Sequence, residues 1–207
     1  VRPNPGGGWL VELNSETLPR VLVNMRYHAQ IKGTAMREED KAYITDRLNS
    51  ANWLVKSLDQ RANTILRVAT ELIRQQDNFL VKGVRYLRPL NLRDIADVIE
   101  MHESTVSRVT ANKYLATPRG IYPMKYFFTA AIASTSGGEA HSAEAVRDRI
   151  RELIDNEPPT KILSDDKIVN LLKGQGLDIA RRTVAKYREA MRIPSSVERR
   201  RQKKLRV

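Results

Sequence analysis

The run ARRTVAKYRE at residues 180–189 concentrates the side chains best suited to chemistry on a polyanion. Written on a helix, Val184, Tyr187 and Met191 recur at i, i+3, i+7 and form an apolar stripe. Arg181, Arg182 and Arg188 are expected to point away from that stripe, with Lys186 on its flank. Asp178, just before the run, could cap the helix by accepting from an orphan backbone N–H. A short helix that buries one face and offers cations near its N-terminus meets the needs of a major-groove reader. A solvated basic surface helix would carry the same pattern. A second candidate set, Glu103, Ser104, Thr105, Ser107 and Arg108, stands at the start of another short helix. The three histidines, His28, His102 and His141, make no metal spacing and no base–nucleophile pair. No cofactor and no small-molecule ligand is implied.

These groups belong to a chain of 207 residues with 36 basic and 24 acidic side chains, a formal charge of +12 and no cysteine. The length suits one to three small domains. Without cysteine there are no disulfides and no thiolate metal sites, which fits a reducing cytoplasm. No apolar run approaches the ~18–20 residues needed to span a bilayer, and no secretory signal opens the chain. The start at Val1, in a Pro/Gly-rich stretch, leads us to expect a piece of a longer protein. Residues 158–207 hold 14 basic and 5 acidic side chains, against 22 and 19 in the rest. Most of the positive field therefore surrounds the run at 180–189, where it attracts a polyanion and makes binding salt-sensitive.

The elements that must position these residues are helical. Residues 1–36 read as irregular, the end of one domain and a connector. Regular structure is not expected at 1–8 because of their Pro and Gly content, with a short strand at 21–23 and a helical turn at 27–32. Residues 37–79 read as one long helix, from about 38 to 78. Its seam runs Ile44, Leu48, Ala51, Val55, Leu58, Ala62, Ile65, Ala69, Leu72. Trp53, Leu54, Leu66 and Ile73 widen the apolar face, which favours packing on other domains or a large partner over a self-associating coiled coil.

Residues 80–133 read as a helix-turn-helix domain. A helix at 92–99 would bury Ile95, Val98 and Ile99, with small Ala96 at the crossing and Met101 in the corner. A second at 103–112 would turn Val106 and Val109 inward. Glu100 stands where a turn glycine is usual. Residues 118–123 break the chain, and the MKYFF run at 124–128 reads as an aromatic core cluster. Residues 134–141 read as a flexible linker. The C-terminal domain, 142–198, is expected to hold three helices. The first buries Val146, Ile150, Leu153 and Ile154. The second is capped by Ser164, with Asp165 and Asp166 at its positive end, and stops at 174–176. The third is the basic run, reached by a turn two residues longer than the one before it. Residues 199–207 read as a disordered basic tail with nonspecific attraction for phosphate. The fold class is all-α: a long extended helix, a helix-turn-helix domain and a small C-terminal three-helix DNA-binding domain.

The wording of the basic run resembles the signature box of the sigma-54 family, the nitrogen-limitation type of bacterial transcription initiation factor. The segments RDIA (93–96), MHESTVSRVT (101–110), NKY (112–114) and TPRG (117–120) resemble the same family, in the right order. The resemblance covers about residues 37–198. It implies a protein that directs core RNA polymerase to promoter double-stranded DNA with upstream GG and downstream GC elements. An AAA+ ATPase activator then remodels the closed complex. It further implies that Arg181 and Arg182 read guanines, that Thr183, Lys186 and Arg188 position phosphates, and that Arg108 with Ser104, Thr105 and Ser107 serves the second element. Arg61, midway along the long helix, could belong to the surface that holds the complex inhibited, or be an ordinary exposed charge. The family's glutamine-rich activator-contact region and full polymerase-binding domain are not recognisable, so promoter binding is the activity expected of this stretch. The family also implies a cytoplasmic, nucleoid-associated protein.

Two alternatives stand beside it. One is an ordinary two-headed helix-turn-helix regulator. The other is a DNA recombinase, with Tyr187 as nucleophile and Arg181 and His141 assisting at the phosphate.

Overall fold

A computed structural model of the chain describes residues 1–14, 16, 18–34, 37–132, 141–158 and 160–204. The expected linker at 134–141 lies outside these residues except for His141. The Pro/Gly-rich start, expected to be irregular, forms a small antiparallel pair, β1 (Arg2–Pro3) and β2 (Trp9–Leu10). Gly7 and Gly8, at φ +96° and +75°, supply the left-handed turn that closes it. Trp9 Nε1 donates to Asp77 Oδ1 at 2.7 Å and anchors the pair. Residues 21–23 are not a strand, and Leu22 is 94% exposed. The turn expected at 27–32 is a ten-residue helix, α1 (Met25–Thr34).

Helix α2 (Glu38–Gln75) spans 38 residues, roughly 57 Å at ~1.5 Å per residue. Its interior has no Gly or Pro, and Glu38, Glu39 and Asp40 sit at its positive end. The buried residues begin only at Ile65, with Val68, Ala69, Leu72 and Ile73. The seam expected along the whole helix is therefore a core face only in its last third, and Trp53 stays 70% exposed.

The helix stops at Gln76, whose side chain is fully buried. Its Oε1 accepts from Arg88 N–H (3.0 Å) and its Nε2 donates to Arg88 O (2.8 Å). Both polar ends are thus satisfied inside the core. A short helix, α3 (Asp77–Lys82), and a 3₁₀ turn, Val84–Tyr86, follow.

Helices α4 (Leu92–Val98) and α5 (Glu103–Thr110) form the first helix-turn-helix. Ile95, Ala96, Ile99 and Val106 are buried, with Met101 packed against them. Val98, expected inside, is 53% exposed because the buried face of this short helix centres on Ile95 and Ile99, with Val98 at its margin. The segment expected only to break the chain is a hairpin, β3 (Tyr114–Thr117) with β4 (Gly120–Pro123). Its Arg119 donates to the carbonyls of Leu80 and Val81 and ties the hairpin tip to the end of α3. The aromatic cluster is core: Phe127 meets Phe79 edge-on at 5.4 Å, and Tyr122 meets Phe79 at 5.3 Å.

A last short pair, β5 (Ala131–Ile132) with β6 (His141–Ser142), leads to α6 (Ala143–Asp155), capped by Ser142. Helix α7 (Asp165–Gly174) is capped by Ser164, and α8 (Arg181–Ala190) carries the basic run. Their core is Val146, Ile150, Ile154, Ile168, Leu172, Leu177, Ile179 and Val184. The helix start expected to be capped by Asp178 begins later: Ala180 is the N-cap, without a side-chain bond.

The tail expected to be disordered forms a helix, α9 (Ser196–Lys204). Arg199, expected to attract phosphate, is buried against Glu157 (Nε to Oε1, 2.9 Å), and Lys203 reaches the same carboxylate at 3.3 Å. The all-α class holds, with strands only as short pairs and a fourth helix closing the C-terminal unit.

Burial alone would raise the Glu157 carboxyl, but Arg199, the Leu163 N–H and Lys203 outweigh it and hold it below the usual glutamate value. Because the folded value is the lower one, this stabilisation is complete above the ordinary pKa of about 4.3 and is lost as pH falls through the folded value. Glu157→Gln is expected to cost about 3 kcal/mol at pH 7, since it strands a buried guanidinium. In thermal melts, the gap between variant and wild type should shrink towards acid pH. A gap independent of pH would show that the charge of Glu157 contributes nothing.

Candidate nucleic-acid interface

Both helix-turn-helix corners are built by the same device. Helix α4 ends with Glu100 at φ +54°, and Met101 N–H reaches back to Ala96 O at 3.0 Å. Helix α7 ends with Gly176 at φ +84°, and Leu177 N–H reaches Leu172 O at 3.0 Å. Each is a Schellman motif, in which a left-handed residue turns the chain and satisfies orphan carbonyls. Glu100 adopts the geometry despite its Cβ, at a cost of about 1–2 kcal/mol. The first corner occupies residues 99–102 and the second 175–180, two residues more, as the apolar spacing predicts.

On α5, Glu103, Ser104 and Arg108 are exposed, while Thr105 and Ser107 are half-buried. His102 is the N-cap: its Nδ1 accepts from Ser104 N–H at 3.2 Å and lies 2.8 Å from Ser104 Oγ. Ser104 is thus partly engaged within its own helix start.

On α8, Val184 is fully buried and Tyr187 and Met191 pack against the same core, so the expected stripe faces inward. Arg181, Arg182 and Lys186 are exposed, with Thr183 half-buried between them. Arg181 Nε lies 3.4 Å from Asp166 Oδ1. Arg182 and Lys186 have no partner among the described residues.

Two arginines at the N-terminus of a helix oppose its dipole, by ~0.3–1 kcal/mol each. Helices α2, α6 and α7 carry acids there, and α1 has a single cation, Arg26, in its first turn. A local rule broken on an exposed face is where function is sought, and an anion at that helix end would relieve the conflict.

Arg188 corrects the sequence expectation. It does not point outward or offer itself to phosphate, since its side chain is 6% exposed and clamps Asp165 at 3.0 Å. Position 188 lies four residues after Val184 and three before Met191, which puts it on the buried face. Helical spacing alone therefore carried the signal. Asp165, its partner 23 residues away, could not be found from local spacing.

The two modules meet through charge. Arg85 bonds Asp148 (3.3 Å) and Glu152 (2.7 Å) on α6. The Arg85 hydrogen bond leads in holding Glu152 below the usual carboxylate value, against the opposing effect of burial. On the same side, burial and the charge of Glu144 push the Tyr126 hydroxyl up to about 12. Tyr187, the nucleophile of the recombinase alternative, lies half-buried with the Arg147 guanidinium 5.0 Å from its ring centre. Arg61 is exposed and lines the groove between residues 11–14 and 18–22 and α2. Among the described residues, no cluster of His, Cys, Asp or Glu could hold a metal ion, and no helix is long and apolar enough to cross a membrane.

Comparison with known proteins agrees with this geometry. The family described as "Sigma-54, DNA binding domain" matches residues 41–201. RNA polymerase sigma-54 factor 2 of Bradyrhizobium diazoefficiens is 67% identical over 203 residues, covering 98% of this chain and 38% of that protein. The RNA polymerase sigma-54 factor of Caulobacter vibrioides is 64% identical over 202 residues, covering 97% and 41%. The chain thus spans about two fifths of the curated relatives it matches. A crystal structure of Aquifex aeolicus sigmaN bound to promoter DNA superposes with a TM-score of 0.59 and 33% identity. The match covers 95% of this chain and 58% of that one.

The Arg181–Asp166 pair is exposed on both sides, so any anion approaching that guanidinium competes with a carboxylate. Asp166→Asn is expected to tighten binding to any duplex by roughly two- to five-fold, the scale of a surface ion pair. Fluorescence anisotropy at fixed salt reads this directly, and unchanged or weaker binding would show that Asp166 does not compete.

Proposed function

The chain belongs to the sigma-54 family, and from that premise we propose that it is the promoter-reading part of a transcription initiation factor. Helix α8 enters the major groove at an upstream GG element. Arg181 and Arg182 pair with guanine O6/N7 edges, the bidentate contact for which a guanidinium is shaped. Thr183 and Lys186 position the backbone. Helix α5 lies at a downstream GC element, with Arg108, Ser104, Thr105, Ser107 and Glu103 on the DNA side.

The observation that carries the reading is the first turn of α8. Two arginines stand there, exposed at a helix end that disfavours them, on a helix whose opposite face is sealed by Val184. Two similar corners in one chain further support a bipartite site. The protein named for binding promoter DNA in the comparison shares the fold over nearly the whole chain.

As part of the same proposal, the partners of the full-length protein are core RNA polymerase and an AAA+ ATPase activator, and it acts in the bacterial cytoplasm. Arg61 and the exposed part of α2 belong to the surface that keeps the closed complex inhibited. The chain divides functionally into connector (1–36), long helix (37–79), first reader (80–133) and second reader (from 142), with α9 part of the last.

The test is quantitative binding to a duplex carrying both elements, with Arg182→Ala alongside. The variant is expected to lose about ten- to hundred-fold on this duplex, matching ~1–3 kcal/mol of discrimination, and little on a duplex with the GG scrambled. Changing the spacing by half a helical turn should also weaken wild-type binding, because the readers would then face opposite sides of the DNA. Equal binding to every duplex, sensitive only to salt, would leave a generic basic domain. Specific binding that ignores spacing would favour an ordinary two-headed regulator.

A further inference from the structure

Arg188 is held from three directions. Its Nε and Nη2 donate to the two carboxylate oxygens of Asp165 at 3.0 and 3.3 Å, and its Nη1 donates to Ile193 O at 2.8 Å. A planar fork locked in this way fixes orientation as well as distance. It joins α8 to the first turn of α7 and to the link that feeds α9. That link is itself a Schellman end, with Arg192 at φ +58° and Ile193 N–H on Arg188 O at 3.0 Å.

Arg181 lies seven residues before Arg188, almost two full turns, so both arginines extend toward α7. Asp165 takes Arg188 in the interior, and Asp166 meets Arg181 at the rim. The buried pair and the rim pair thus both bear on the roll of α8 about its own axis.

We propose that Arg188 is a positioning residue for DNA reading: its buried fork sets the roll of α8 on α7 so that Arg181 and Arg182 meet base edges, while Arg188 itself touches no phosphate. The inference rests on α8 being the upstream reader. A roll of ~10–20° is enough to lose a productive contact geometry. Lysine keeps the charge but has no fork, so it cannot replace Arg188.

The experiment compares wild type, Asp165→Asn, Arg188→Lys and Arg188→Ala below their melting temperatures. Binding is measured on a GG duplex and a scrambled duplex over a range of salt. Spin-label distances are measured between Lys173→Cys and Ala190→Cys, free of background because the chain has no native cysteine. Asp165→Asn removes a negative charge, so charge alone would strengthen binding to every duplex. Positioning predicts the opposite on the GG duplex: a loss of about ten-fold or more, with scrambled-duplex affinity kept or slightly raised, and a broadened distance distribution. Arg188→Lys should show the same pattern.

Uniformly tighter binding of Asp165→Asn with unchanged distances would overturn the proposal. So would an Arg188→Ala salt slope reduced by about 0.9 on both duplexes, the mark of a lost phosphate contact. If wild type prefers no sequence, it is the reading of α8 that fails. The distances then decide the role of Arg188 alone: broadening supports it and an unchanged distribution rejects it.

Discussion

Among the described residues, three helices end with the same left-handed reversal, at Glu100, Gly176 and Arg192, and the presentation of α5 and α8 depends on it. Each reversal returns a backbone N–H to a carbonyl five residues earlier and drops the following apolar residue, Met101, Leu177 or Ile193, against a core. Only one of the three is glycine. Strain of about 1–2 kcal/mol at each of the other two is offset by the burial that follows. With the corners set, α5 and α8 each turn an apolar face in and a polar face out.

The second unit adds a feature the first lacks, a set of buried ion pairs. Arg188 with Asp165 and Arg199 with Glu157 lie on successive stretches of the same chain, and each guanidinium also bonds a carbonyl of the link between α8 and α9. Such pairs add little net stability over well-packed apolar residues, but they are unforgiving of misalignment, because a half-made pair leaves a buried charge. They therefore specify one arrangement. A small unit in a strongly basic region has a further reason to bury them: each internal acid offsets a positive charge that would otherwise repel its neighbours.

Much of this was legible in the residues. The apolar seam from Ile44 to Leu72 marked α2. The apolar spacing from Met101 to Val106, and from Leu177 to Val184, marked both helix-turn-helix corners, and Ser142 and Ser164 marked two helix starts. What escaped had non-local causes. The buried state of Arg199 requires Glu157, 42 residues away, and a run of arginines and lysines gives no sign of that. The hairpin at 114–123 was hidden by its prolines, which punctuate strands as readily as loops. Arg188 was misplaced for a different reason. Its helical position argued for burial and its charge against, and charge prevailed in the expectation although a partner can reverse that preference. Among the candidate contacts, the exposed arginines of α8 were recoverable from pattern, but the pairing of Arg181 with Asp166 was not.

Helix α2 has a mechanical consequence. Its last third is clamped by Ile65, Val68, Leu72 and Ile73, and by the Arg67 bond to Ile99 O at 2.7 Å, which touches the first corner directly, whereas α1 lies along its N-terminal half. The remaining length, roughly 40 Å of unbroken helix at ~1.5 Å per residue, carries α1 with it as an arm rooted in the first helix-turn-helix module. A few degrees of tilt at the root sweep its tip through several ångströms. A load applied near Trp53 returns to the corner at Glu100 with the same leverage. The fold thus couples a small rotation of the first module to a large displacement far from it, through the stiffness of one helix.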